Sequence, residues 1–128
     1  MITRDEILKG REVNSPLTPE LEANLEKLLI AVNKLRLAYG KPMFVSSGYR
    51  PAEINAAVGG SKKSAHMTCQ AVDFRDGDGK LTEWCLNNIQ VLIDAGLYME
   101  DPAFTNIGPN VRWVHVQIRP TKKRIFKP

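Results

Sequence analysis

The chain has 128 residues, of which 43% are hydrophobic and 25% are charged, and this balance excludes an intrinsically disordered or fibrous protein. The length suits a single domain over residues 1–128, and no stretch approaches the roughly 20 apolar residues of a membrane span. The formal net charge of +4 is concentrated at the C-terminus, because residues 119–128 carry five Lys or Arg and no acidic residue. We expect this basic tail to be either a solvated end or a contact for a polyanion such as a cell-wall polymer.

Cysteine usage and the N-terminal sequence bear on the cellular compartment. Cys69 and Cys85 are too few for a disulfide framework and are expected to be reduced thiols. The first residues lack the apolar run of a secretory signal, which leads us to expect a protein made in the cytoplasm. We also expect a monomer that does not insert into a membrane. Nucleic-acid binding is not expected, because the chain has no basic groove with interleaved aromatic residues.

Two helices are predicted in the first 40 residues. Thr3 and Glu6 match a capping box, which predicts a short helix over residues 4–9. Thr18, followed by a proline, predicts the start of a second helix. Leucines recur at helical spacing from there until Gly40, so this helix should pack on the core.

Short strands and helices follow in alternation. The predicted elements are a strand at 43–47, helical turns at 52–57, a strand at 70–74, a helix capped by Thr82 and ending at 95, a strand at 97–100, a loop at 103–111 and a strand at 112–118. In the last strand Val114 and Val116 share one face, while Trp113, His115 and Gln117 share the other. This order predicts an α+β fold in which helices pack on a small, mainly antiparallel sheet.

Both histidines of the chain lie where a ligand would be useful. His66 precedes Asp73 by seven residues, which an ideal helix would hold about 10 Å apart and an extended strand about 23 Å apart. A turn over residues 67–69 that leads into a strand would let the two side chains converge, and His115 lies on the polar face of another strand. Two histidines and a carboxylate are a common ligand set of catalytic zinc. The alternative is that the histidines are ordinary hydrogen-bonded residues and that Asp73 pairs with an arginine.

A series of short motifs runs through the chain in a fixed order. They are Ser47-Gly48-Tyr49-Arg50, Asn55, Val58-Gly59-Gly60, Ser64-x-His66-x-x-x-x-Ala71-x-Asp73, Tyr98-x-Glu100-Asp101 and Trp113-Val114-His115-Val116. In this order they resemble the M15 zinc peptidases, which include D-alanyl-D-alanine carboxypeptidases and phage and bacterial peptidoglycan endopeptidases. These peptidases share their fold with the zinc site of hedgehog signalling domains. The similarity covers about residues 3 to 128.

The resemblance implies a role for each matching position. His66, Asp73 and His115 would bind one zinc ion. Glu100 would serve as general base, and Arg50 would hold the oxyanion or a substrate carboxylate, for which a guanidinium offers a bidentate fork. The further candidates for substrate binding are Ser64, Trp113 and Gln117.

Three positions depart from the family pattern. Arg112 stands three residues before the last histidine, where many relatives carry the base, which favours Glu100 and leaves Asp101 as the alternative. Trp113 stands where another branch has a histidine, so it would either form a wall of the cleft or belong to the core. Cys69 stands where glycine is usual, and a thiolate is itself a good zinc ligand.

The implied activity is zinc-dependent hydrolysis of a peptide bond in bacterial peptidoglycan, of the D-Ala-D-Ala carboxypeptidase or L-Ala-D-Glu endopeptidase type. Without a secretory signal, such an enzyme would resemble a phage-type lysin that reaches the wall after release from the cytoplasm. A fourth ligand at Cys69 would instead close the metal site. The alternative function is therefore a non-catalytic, zinc-stabilised module that binds the cell wall or has a structural role.

Overall fold

Six short strands form one mixed, mainly antiparallel sheet in the computed structural model, which describes residues 1–128. The strands are β1 (Val45–Ser47), β2 (Ala71–Arg75), β3 (Tyr98–Glu100), β4 (Asn106–Gly108), β5 (Val111–Gln117) and β6 (Ile125–Phe126). Their order is β1-β2-β5-β3-β6, with β4 paired to β5, and only the β3–β6 pair is parallel. The predicted α+β fold class is confirmed.

Five helices accompany the sheet, and the predicted start signals of the first two are confirmed. The helices are α1 (Arg4–Leu8), α2 (Pro19–Tyr39), α3 (Ala52–Ala57), α4 (Lys80–Asn87) and α5 (Ile89–Ala95), with 3₁₀ turns at Ala65–Thr68 and Pro102–Phe104. Thr3 and Glu6 form the capping box of α1, and the Thr18 side chain accepts from the Leu21 amide at the start of α2. None of the helices combines the length and the apolar character that a bilayer span requires.

The two faces of the sheet have opposite character, and this separates the core from the site. One face contributes buried apolar side chains to a cluster of 21 core residues that includes Leu25, Leu28 and Leu35 of α2 and Leu92 of α5. The sheet residues in this cluster are Val72, Phe74, Met99, Val114 and Val116. Successive strand residues point to opposite faces, so Asp73, His115 and Gln117 lie together on the other face, as the alternation in β5 predicts.

The helix predicted from Thr82 to residue 95 is two helices, α4 and α5. Asn88 breaks it with non-helical angles (φ −132°, ψ 45°), and its side-chain amide donates to the Trp84 carbonyl at 2.8 Å. Thr82 is not the cap. The N-cap residue is Gly79, which has no side chain to accept a hydrogen bond, and the Asp76 carboxylate accepts from the first-turn amides of Leu81 (2.9 Å) and Thr82 (2.7 Å) instead.

Two further segments are more ordered than the sequence indicates. The loop predicted at 103–111 contains a 3₁₀ turn and β4. The basic tail forms β6, and the guanidinium of Arg119 donates to the Lys63 carbonyl (2.6 Å) and to the Thr68 hydroxyl (2.8 Å). The interpretation of the whole tail as a solvated end is therefore wrong, since only its lysines and prolines are exposed and the other residues are partly buried.

Candidate active site

His66, Asp73 and His115 come together on the polar face of the sheet. Asp73 in β2 lies directly opposite His115 in β5, while His66 lies on the 3₁₀ turn that precedes β2. Cys69 ends this turn in the left-handed conformation (φ 57°), and the chain then enters β2. One ligand atom from each of the three side chains lies within 4.8 Å of the others. The predicted bend between His66 and Asp73 is therefore present.

A backbone carbonyl orients the His66 ring. The Nδ1 atom of His66 lies 2.8 Å from the Gly48 carbonyl oxygen, which can only accept, so Nδ1 carries the proton. In the neutral ring Nε2 then presents its lone pair. This Nε2 atom is buried without a hydrogen-bond partner and lies 3.3 Å from Asp73 Oδ2.

The His115 ring is oriented from the opposite side by Gln117. The Gln117 amide group donates to the Arg119 carbonyl (2.9 Å), so its oxygen faces His115 Nε2 at 2.8 Å and accepts from it. Nδ1 of His115 thus points at Asp73 Oδ1, also at 2.8 Å. The predicted role of Gln117 in substrate binding stays a prediction, and both ends of its amide are already engaged within the chain.

The electrostatics of this cluster favour a positive charge at its centre. Burial alone would raise the pKa of Asp73, but the two histidines outweigh it and hold that pKa well below its usual range. Burial lowers the pKa of His115, but the hydrogen bond and the charge of Asp73 outweigh it and the net direction is upward. The centre therefore stabilises either a proton or a metal cation.

The three side chains fit a metal ion by their donor chemistry. Each histidine has one nitrogen held by an acceptor in the protein, and the other directed at the centre beside the Asp73 carboxylate. This outer hydrogen bonding is the usual means by which a protein fixes the tautomer of a metal-binding histidine. The partnerless Nε2 of His66 is a polar atom for which a cation would supply the missing contact.

A cleft of about 630 Å³ opens over this cluster and contains most of the predicted site residues. Its lining includes Arg50, Ser64, Glu100, Trp113 and Gln117 together with the two histidines and Asp73. Of the two alternatives for Trp113, the structure places it in the wall of the cleft. The sequence motifs thus converge on one concave surface, as expected of a binding site.

The structure separates the two candidate bases. Glu100 ends β3 and lines the cleft, whereas the Asp101 carboxylate accepts from the Ala103 amide (2.9 Å) and caps the following 3₁₀ turn. Burial raises the pKa of Glu100, Asp73 adds to the rise and His115 opposes it. A carboxyl group with a raised pKa is the stronger base, and Glu100 alone of this pair faces the cluster.

Arg50 and Ser64 also line the cleft and contact each other. Arg50 Nη2 donates to the Ser64 hydroxyl at 3.3 Å, and its Nε atom is buried without a partner. Burial lowers the pKa of Arg50, although Asp73 opposes this. A guanidinium with free donors beside the cluster can bind a carboxylate or a developing oxyanion.

Cys69 lies apart from the cluster. Its side chain is fully buried among the core residues on the helical side of the sheet. The metal-binding group contains His66, Asp73 and His115 and no cysteine. This placement gives no support to a closed four-ligand site.

Three supporting residues were assigned no role from the sequence. Gly48 supplies the carbonyl that orients His66, and Asn55 anchors the loop beside the cleft by donating to the Ser61 carbonyl at 2.8 Å. Phe126 contacts His115 from the tail, with ring centroids 5.9 Å apart. Gly48 and Asn55 lie in the motifs quoted above, and this could have indicated a role for them. Nothing in the sequence around Phe126 indicated a role.

An α+β fold that gathers two histidines and an aspartate in an open cleft is typical of metal-dependent hydrolases. A sequence model of the family described as Peptidase M15 matches residues 2–116. The chain belongs to this family, and the resemblance seen in the motifs is confirmed. No curated protein matches the sequence closely enough to be compared with it.

Proposed function

We propose that this protein is a zinc-dependent peptidase that hydrolyses a peptide bond of bacterial peptidoglycan, of the D-Ala-D-Ala carboxypeptidase or L-Ala-D-Glu endopeptidase type. The observation that carries the proposal is the hydrogen bonding of the two histidines, in which one nitrogen of each ring contacts an acceptor of the protein and the other lies beside Asp73 in the cleft. Membership of a peptidase family supports hydrolysis as the activity.

His66, Asp73 and His115 would hold the ion. When bound, zinc supplies Lewis acidity toward a peptide carbonyl and lowers the pKa of water. Glu100 would take a proton from the attacking water and deliver it to the leaving amine, since its carboxyl group lines the same cleft and its pKa is raised by burial. Arg50 would bind the developing oxyanion or a substrate carboxylate with its free guanidinium donors.

The charges of the cleft suit an acidic peptide. Arg50 and the exposed Lys63 and Lys127 line the cleft, and Glu100 and Asp73 are the only acidic side chains of the lining. The stem peptides of peptidoglycan carry carboxylates at their ends and side chains, so a cationic rim would raise their local concentration. Ser64 would position such a carboxylate together with Arg50.

The decisive experiment is digestion of purified peptidoglycan by zinc-loaded protein, with the released fragments identified by mass. Free D-alanine identifies a carboxypeptidase, and a new amino terminus at D-Glu identifies an endopeptidase. Intact zinc-loaded protein that releases nothing from walls of several chemotypes would contradict the proposal and favour the non-catalytic module. Comparing intact with permeabilised cells as substrate tests the further proposal that the protein acts on the wall after release from the cytoplasm.

The role of Glu100 has a matched control in its neighbour. Glu100→Gln removes the base without changing the size of the side chain, so we expect zinc binding to persist while kcat falls by about 10²–10⁴. Asp101→Asn changes the adjacent carboxylate, keeps a capping residue and should leave kcat nearly unchanged. Equal losses in the two variants would remove Glu100 from the mechanism.

A further inference from the structure

The C-terminal segment forms one wall of the cleft although it lies beyond residues 2–116 that match the family. Thr121, Phe126, Lys127 and Pro128 are among the residues that line the cleft. β6 is an edge strand of the sheet and pairs with β3 alone.

Two backbone hydrogen bonds from β3 to this segment bracket Glu100. The Met99 amide donates to the Arg124 carbonyl at 2.8 Å, and the Asp101 amide donates to the Phe126 carbonyl at 2.7 Å. Glu100 lies directly opposite Phe126 in the register of the two strands. The main chain on each side of Glu100 is thus held by the tail.

Arg124 fastens the segment to the start of β3. Its guanidinium lies over the Tyr98 ring, 4.1 Å from the centroid, and its Nη1 atom donates to the Leu97 carbonyl at 3.0 Å. A guanidinium over the face of an aromatic ring is attracted to it electrostatically. β6 is only two residues long, so such side-chain contacts are needed to hold it in place.

Phe126 contacts the His115 imidazole directly. The two rings meet edge to face, with centroids 5.9 Å apart and an interplanar angle of 79°. Ile125, the preceding residue, points the other way and packs against the core. The two residues of β6 therefore have different surroundings: Phe126 contacts the site and Ile125 contacts the core.

We infer that Phe126 is a positioning residue of the site, which fixes the ring of His115 through its own ring and the main chain of Glu100 through β6. The inference rests on the proposed roles of these two residues. His115 Nε2 donates to the Gln117 side-chain oxygen and Nδ1 lies beside Asp73 Oδ1, so these polar contacts fix the two nitrogens but make no contact with the carbon side of the ring. Removing the phenyl ring would remove this contact at the cleft wall and allow the imidazole and Glu100 to move.

The test compares Phe126→Ala, Phe126→Leu and Ile125→Ala in the full chain. We expect Phe126→Ala to weaken zinc affinity about tenfold, as is usual when the support of a metal ligand is lost, and to lower kcat more than it raises KM. Phe126→Leu should recover most of the affinity, because it restores an apolar contact. Ile125→Ala should lower the thermal stability by a similar amount and leave zinc affinity unchanged.

Zinc affinity is measured by competition with a chromophoric chelator at a temperature at which circular dichroism shows each variant to be folded. Amide hydrogen exchange at Met99 and Asp101 reports how stable the hydrogen bonds to Arg124 and Phe126 are, and the exchange should accelerate in Phe126→Ala. If Phe126→Ala does not fold, Phe126→Val is the milder truncation. Unchanged affinity in the truncated variant, or an equal loss in Ile125→Ala, overturns the inference.

The affinity and exchange measurements do not depend on hydrolysis, so the two proposals can fail separately. If wild-type protein leaves peptidoglycan uncut but loses zinc selectively in Phe126→Ala, the proposed function falls and the positioning role at His115 stands. If peptidoglycan is cut and Phe126→Ala binds zinc and turns over like the wild type, the proposed function stands and the inference falls.

Discussion

Gly48 allows a close backbone contact with Ile7 and supplies the carbonyl that orients His66. A Cβ atom at this position would lie 2.2 Å from the Ile7 carbonyl oxygen, so the backbone has no room for a side chain. The close approach also lets the Tyr49 amide donate to the same Ile7 oxygen at 2.9 Å. In this position the Gly48 carbonyl reaches His66 Nδ1 and sets the tautomer of the ring.

Gly48→Ala should damage both stability and metal binding. The contact is with backbone, which cannot swing aside, so we expect the free energy of unfolding to fall by about 1–3 kcal/mol, as measured in urea. Displacement of the carbonyl from His66 should also weaken zinc affinity at least about tenfold. Gly77→Ala is the control, because a Cβ there would make an ordinary 3.4 Å contact with the Asn110 carbonyl oxygen. Normal zinc affinity in a folded Gly48→Ala protein would contradict the role assigned to the carbonyl.

Cys69 occupies a left-handed position that usually favours glycine, and its thiol is buried in the core. We therefore expect Cys69→Gly to keep one zinc ion per chain by metal analysis. Loss of zinc in a folded variant would support the closed-site hypothesis.

Burial raises the pKa of Cys69 and of Cys85 to about 12, so neither thiol should react with an aromatic disulfide reagent until the protein is unfolded.

At the scale of elements, Asp76 connects β2 to α4. Its buried carboxylate accepts from the amides of Leu81 and Thr82 and from the Thr82 hydroxyl at 2.6 Å. Asp76→Ala leaves these donors without a partner, and we expect the free energy of unfolding to fall by about 2–3 kcal/mol. Asp78→Ala removes one exposed hydrogen bond to the Lys80 amide and should cost less than about 1 kcal/mol. Similar losses in the two variants would refute the capping role of Asp76.

The elements that were predicted correctly from the sequence are those specified by residues close to one another in the chain. The capping signals at Thr3 and Thr18 and the alternation in β5 depend on local spacing, and all three are present in the structure. The break at Asn88 was missed because the apolar residues on its two sides continue one helical pattern. β6 was missed because a two-residue strand is set by its partner β3 rather than by its own sequence.

At the scale of the whole molecule, the ligand cluster could be predicted because only two histidines exist and the face of β5 placed one of them. The convergence of His66 with Asp73 could be predicted because neither a continuous helix nor a continuous strand would bring the two side chains to one point, so the chain must bend between them. The contributions of Gly48, Gln117 and Phe126 could not be read in the same way, since they depend on contacts between segments distant in the chain. The resemblance to a family supplied Glu100 and Arg50, and the structure places both in the cleft.

The cluster of His66, Asp73 and His115 lies on the opposite face of the sheet from the hydrophobic core, so removal of a metal should leave the packing of the core unchanged. The core of 21 residues contains none of the three candidate ligands, so the protein should stay folded when a chelator removes zinc. A metal that binds only the folded state nevertheless stabilises it, by about 2.7 kcal/mol at 100 times Kd. For a chain of this length we expect zinc to raise Tm by about 10 °C.

Differential scanning fluorimetry across a zinc series measures this shift, and two variants give it a matched control. Asp73→Asn removes the carboxylate between the two histidines and should abolish the dependence of Tm on zinc. Asp78→Asn changes an exposed carboxylate outside the cleft and should keep the full shift. A Tm independent of zinc in the wild type would mean that the cluster does not hold the metal. Unfolding of the chelated protein at 25 °C would mean that the metal is structural, because the core would then depend on it.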